Sequence, residues 1–121
     1  MTKRILIIED QEDNRQIMHD ALAASGYESL EAHTGEEGLA LAQREKPDLI
    51  LMDIQLPGMD GYEVTRRIKR DVELTGIPII AVTSYALSGD DQKAFAAGCD
   101  GYLTKPVSPR LLLAKIREYL A

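Results

Sequence analysis

Short runs of consecutive aliphatic residues recur along the chain, and each ends in polar residues able to do chemistry. Ile5-Leu6-Ile7-Ile8 runs into Glu9-Asp10, Leu49-Ile50-Leu51-Met52 into Asp53, and Ile79-Ile80-Ala81-Val82 into Thr83-Ser84. A four-residue apolar run bounded by turn signals reads as a strand. The lack of polar alternation predicts strands covered on both faces, as in a parallel sheet. Two weaker strands, Glu28 to Ala32 and Gly101 to Thr104, fit the remaining gaps.

Helical spacing fills the intervals. A first helix is predicted from about Asp13 to Ser25, with Ile17, Met18, Ala21 and Leu22 as its apolar stripe and Gly26 as its stop. A second opens at Thr34, with Glu37 three residues on in capping-box spacing, and carries Leu39 and Ala42 inward. A third follows Asp60-Gly61, with Val64 and Ile68 inward and Arg66, Arg67, Lys69 and Arg70 outward. A fourth follows Ser88 and ends at Gly98. The last opens at Ser108-Pro109 and carries Leu112, Ile116 and Leu120. The pattern is (βα)5 with short connections. It predicts an α/β three-layer sandwich of flavodoxin-like type, with a parallel five-stranded sheet in the order 2-1-3-4-5 and residues 1–121 as one domain.

Composition narrows the function classes. With 121 residues the chain can bury a core without staples. A net charge of −6 lacks the basic footprint of a nucleic-acid-binding surface. The single cysteine, Cys99, excludes an internal disulfide framework and reads as a small buried hydrophobe. The first apolar run is too short for a signal peptide, and the uncharged stretch Thr75 to Gly89 is too short to span a bilayer. The expectation is a cytoplasmic protein that binds neither membrane nor nucleic acid.

The predicted strand order changes the picture most. It sets the ends of the first and third strands side by side, bringing Glu9, Asp10 and Asp53 together, with Thr83 and Lys105 bordering the same crevice. Three carboxylates in one pocket repel, and a divalent cation relieves the repulsion. Mg2+, or Mn2+ in its place, prefers oxygen ligands and keeps several waters. Asp10 and Asp53 are direct ligand candidates, Glu9 reaches through water, and the Gln55 backbone carbonyl is a further candidate. Lys105 offers a mobile positive charge and Thr83 a hydroxyl donor, both suited to an anion arriving at Asp53. These are the parts needed to form an aspartyl phosphate.

Glu9-Asp10, Asp53 with Pro57-Gly58-Met59-Asp60-Gly61, Thr83, Tyr102 and Lys105-Pro106 occur in this order along the whole chain. The set resembles the receiver domain of two-component response regulators, with the nearest likeness to stand-alone receivers of the cell-division-regulator type. The resemblance implies that a histidine kinase or phosphotransfer protein donates a phosphoryl group to Asp53, in a Mg2+-dependent reaction. Asp10, Asp53 and the Gln55 carbonyl would then hold the metal, and Lys105 would pair with the phosphoryl group. Thr83 and Tyr102 would act as the switch that reshapes the face of the fourth helix, fifth strand and fifth helix toward a downstream protein. It also implies a cis Lys105–Pro106 peptide, and kinase docking at Arg15, Met18, His19 and Leu22 of the first helix and at Val107-Ser108. The protein would be no enzyme beyond its own phosphorylation and dephosphorylation, and a monomer or a weak phosphorylation-dependent dimer. Glu9 departs from the family's usual Asp and should tune metal affinity, whereas Ser84 replaces a small apolar residue with little change in size. Gln55 and Tyr85, two positions past Asp53 and Thr83, are expected to flank the path of the water that removes the phosphoryl group.

Other readings are weaker. Glu12 and Asp13 read as solvated loop acids, and His19 and His33 as surface residues without a second histidine at ligand spacing. A mononucleotide binder needs donors after the first strand, where Glu9 to Asp13 would repel phosphate. A haloacid-dehalogenase-like phosphatase places an acid two residues after its nucleophile, where this chain has Gln55, and no cap insertion is present. A receiver serving only as an unphosphorylated docking module would not require every pocket residue.

Overall fold

The three aliphatic runs form the middle of one sheet because each strand has a helix layer on both sides. In the computed structural model, which describes residues 2–84 and 90–120, the strands are β1 (Arg4–Ile8), β2 (Glu28–Ala32), β3 (Leu49–Asp53), β4 (Ile79–Thr83) and β5 (Gly101–Thr104). All are parallel and run in the order β2-β1-β3-β4-β5. The helices are α1 (Glu12–Ala24), α2 (Gly35–Glu45), α3 (Gly61–Arg70), α4 (Asp90–Ala97) and α5 (Pro109–Leu120).

The two-residue period of a strand divides the core into two. Leu6, Ile8, Ile50, Met52, Ile79 and Ala81 face α2, α3 and α4, joining Ala42, Val64, Ile68, Ala94 and Cys99. Ile5, Ile7, Leu49, Leu51 and Ile80 face the other way, onto Met18, Ala21 and Leu22 of α1 and Leu112 and Ile116 of α5. Each large aliphatic side chain so buried contributes roughly 1.5–3 kcal/mol. β2 stays at the sheet edge, and its exposed Glu28 and Glu31 protect that edge from pairing with another chain.

The helix ends follow local chemistry. Gly26 adopts φ 83° after α1. The Thr34 hydroxyl accepts from Glu37 N at 3.1 Å, while the Glu37 carboxylate accepts from His33 N at 2.6 Å, one residue earlier than in the usual capping box. The Asp60 carboxylate accepts from Glu63 N at 2.9 Å and starts α3.

Two expectations need correction. The α1 stripe is narrower than predicted: Ile17 is 44% exposed, while Met18 and Leu22 are sealed into the core. Burial takes Met18 and Leu22 out of any docking surface. Lys69 does not stand in solvent either. Its ammonium donates to the carbonyls of Thr75 and Ile77 and to Asp100, at 2.9–3.2 Å, tying α3 to the connection before β4 and to the segment before β5. Ser88 and Tyr85 lie outside the described residues.

Candidate functional site

Every strand but β2 ends in a residue of one crevice. Asp53 is the last residue of β3, in register with Val82 of β4, and the chain leaves it through Ile54, whose N–H donates to Val82 O at 3.1 Å. Gly61 makes that exit feasible. A Cβ there would lie 2.3 Å from the Asp53 carbonyl oxygen, so only glycine lets α3 begin so close to the strand. Lys105 follows β5, and its N–H donates to Thr83 O at 2.7 Å, fixing the two strand ends together. The Lys105–Pro106 peptide is cis. Glu9 continues β1, with its N–H donating to Ala32 O at 3.0 Å.

The charges converge tightly. Carboxylate oxygens of Glu9, Asp10 and Asp53 lie within 4.8 Å of one another. Lys105 Nζ is 2.7 Å from Glu9 Oε1 and 3.2 Å from Asp53 Oδ1. The Glu9 Oε1 contact is a charge pair without hydrogen-bond alignment, and this buried oxygen has no hydrogen-bond partner among the described residues. Oε2 of Glu9 accepts from Gln11 N at 3.1 Å. Asp10, Gln11, Asp53, Gln55, Ser84 and Lys105 line an open cleft of about 200 Å³.

Burial shapes the titration of these groups. Desolvation pushes the Asp53 carboxyl up from its ordinary 3.8 to about 7, with the Glu9 charge adding to the rise and the Lys105 ammonium opposing it. Burial alone would lower the Lys105 pKa, but the close negative charges of Glu9 and Asp53 outweigh it, and the net direction is upward. Burial pushes the Cys99 thiol to about 11, which keeps it unreactive.

The donor set fits a hard divalent cation. Three carboxylates against one ammonium leave two formal negative charges, and the ligands are oxygens around an open cleft. Asp10 and Asp53 face that cleft. Glu9 is wholly buried and turned to Lys105, so its longer arm serves the lysine directly.

Two roles escaped the sequence. The Gln55 side chain, expected only beside the path of the attacking water, bridges two strand ends. Its Nε2 donates to Thr83 Oγ1, and its Oε1 accepts from Ser84 N at 3.0 Å. Gln55 N also donates to Asp53 Oδ1 at 3.0 Å. An amide two residues past a strand-end acid was the only signal. Arg15, expected at a docking surface, instead bonds the backbone of the acid pair: its Nη1 donates to Glu9 O at 2.9 Å and Asp10 O at 3.1 Å.

The remaining expected residues are spread around this centre. Thr83 is buried, and Tyr102 is half-buried on the α2–α3–α4 side of the sheet, in register with Ala81. Val107 packs on the α1–α5 side, and the Ser108 carbonyl accepts from Leu112 N at 2.9 Å at the start of α5. His19 Nδ1 sits 2.8 Å from Ser29 Oγ.

The chain is similar to known proteins in sequence and fold. Residues 5–117 match the family model of the response regulator receiver domain. The chain is 47% identical over 120 residues to the polar-differentiation response regulator DivK of Brucella ovis, covering 99% of this chain and 98% of that protein. A CheY-like receiver domain protein of Methanospirillum hungatei superposes with a TM-score of 0.91 at 39% identity, covering 99% of this chain and 94% of that one. The receiver domain of a sensor histidine kinase of Pseudomonas aeruginosa, solved with magnesium coordinated in its active-site cleft, gives a TM-score of 0.92 at 33% identity, covering 99% and 98%.

Proposed function

The chain belongs to the response regulator receiver domain family of two-component systems, and on that premise we propose that Asp53 is its reversible phosphate acceptor. The observation that carries this is a buried Asp53 carboxylate with Lys105 at 3.2 Å and two further acids beside it, at the open carboxyl end of the sheet. A histidine kinase or phosphotransfer protein is the donor. An Asp53 oxygen forms the new P–O bond as the donor's P–N bond breaks, and the freed imidazole takes a proton. Lys105 is close enough to Asp53 to pair with the phosphoryl oxygens, and the Thr83 hydroxyl lies at the neighbouring strand end to bond them.

Asp10, Asp53 and the Gln55 carbonyl are the residues that would hold Mg2+, with Mn2+ as a substitute and Glu9 behind them. When bound, the cation neutralises charge that develops on the transferring group. The match to a receiver solved with magnesium in its cleft supports this assignment. Thr83 and Tyr102 are assigned the switch to the α4-β5-α5 face, which addresses a downstream protein. Phosphorylation and dephosphorylation at Asp53 are the only reactions assigned to this signalling protein.

Residues 1–121 are read as one receiver domain, monomeric or weakly dimeric when phosphorylated, in the cytoplasm. Among the described residues no helix is long and apolar enough to cross a membrane. Donor docking is assigned to His19, Val107 and Ser108, with exposed Ile17 and Leu111 nearby on the packed α1–α5 pair.

The test is labelling by a small phosphodonor with and without Mg2+. Labelling should require Mg2+ and disappear in Asp53→Asn. Label retained in Asp53→Asn would refute the assignment, and turnover of a phosphoester would favour a phosphatase.

A further inference from the structure

Arg15 lies one helical turn into α1, yet its guanidinium reaches back to the acid pair at the end of β1. Nη1 donates to Glu9 O at 2.9 Å and to Asp10 O at 3.1 Å. The Arg15 side chain is only 11% exposed, so these bonds are made with little competition from water. The peptide planes it holds set the direction in which both carboxylates leave the backbone. The guanidinium is itself held: its Nε lies 3.7 Å from Glu31 Oε1 on β2. The other Glu31 oxygen lies 3.6 Å from His19 Nδ1, one turn further along α1. Arg15 and His19 share one face of α1, and Glu31 and Ser29 share one face of β2, so helix and strand meet through this chain of contacts.

From this geometry we infer that Arg15 is a positioning residue for the cation site, presenting Asp10 to the cleft, and that Glu31 holds Arg15 in place. The inference rests on the assignment of Glu9, Asp10 and Asp53 to a divalent cation. Its consequence has a distinctive sign. As a mere nearby positive charge, Arg15 would repel Mg2+, and removing it would tighten binding. As a positioning residue its removal weakens binding, because partners that orient metal ligands typically carry 10–100-fold in affinity.

The experiment titrates Mg2+ into isotopically labelled protein, following amide resonances of Asp10, Gln11 and Asp53, with thermal unfolding as the check on folding. Arg15→Ala is expected to weaken Mg2+ binding about tenfold or more. In the metal-free variant, the Asp10 and Gln11 amides should exchange faster with solvent. Glu31→Gln, on an exposed edge residue, should weaken binding by a smaller factor, and the double variant should bind no more weakly than Arg15→Ala alone. Affinity that is unchanged or raised in Arg15→Ala overturns the inference; if that variant does not fold, the same result in Glu31→Gln does so. Wild-type protein that binds no Mg2+ overturns the cation site itself, and this role of Arg15 with it.

Discussion

Asp53 is 2% exposed and faces Glu9, so its ionised form is disfavoured by burial and by a neighbouring carboxylate, with Lys105 as the counterweight. Its carboxyl therefore titrates near 7 in the folded chain, against an ordinary 3.8. The folded state binds this proton more tightly than the unfolded state does. The sign follows directly: stability of the metal-free protein falls as pH rises from about 4 to about 7. Between pH 5 and pH 8 the loss should be about 3 kcal/mol, taking about 1.4 kcal/mol per pH unit over which only the folded state holds the proton. Urea unfolding in the presence of a chelator measures it. Asp53→Asn should remove most of the slope, and parallel profiles for the two proteins would contradict this account. In the proposed function, Lys105 would offset this cost by favouring the ionised carboxylate that accepts the phosphoryl group.

Elements set the tolerance around that residue. The exit from β3 works because Gly61 admits the Asp53 carbonyl where any side chain would collide, with Ile54 Cα next at 2.7 Å. Gly61→Ala must push α3 away from the strand end. It should cost about 2 kcal/mol or more in urea unfolding and lower labelling of Asp53 by a phosphodonor. Gly76, where an added Cβ would meet nothing within 4 Å, is the control, and Gly76→Ala should leave stability within about 0.5 kcal/mol. Equal losses in both variants would mean that close packing at Gly61 is not the cause. At this scale most of the architecture was legible. β1, β3 and β4 were visible as aliphatic runs because burial on both faces leaves no polar alternation, and Gly26, Thr34, Asp60 and Gly98 marked helix ends by local chemistry alone. The exposure of Ile17 was not legible. A stripe shows which side of a helix faces inward, but its edge depends on how α1 is rotated against α5.

For the whole molecule the question is how a net charge of −6 tolerates three acids in one cleft. A bound divalent cation would relieve that repulsion in the native state only, since the unfolded chain keeps Glu9-Asp10 and Asp53 far apart. Millimolar Mg2+ should therefore raise the thermal midpoint, with a gain of about 2.7 kcal/mol when Mg2+ is at 100 times its dissociation constant. Asp10→Asn should lose most of that gain, and an equal rise in both proteins would point to general screening by salt. The sequence by itself pointed to the five strands, their order and the candidate cluster of Glu9, Asp10, Asp53, Thr83 and Lys105, because two-sided burial leaves unbroken aliphatic runs and their alternation with helices suits one parallel topology. Only the tertiary structure decided that Gln55 spans to Thr83 and Ser84, that Lys69 ties α3 to Asp100, and that Arg15 holds the carbonyls behind Glu9 and Asp10. Such bonds depend on where long polar side chains end after the backbone has closed around them, and no local period records that.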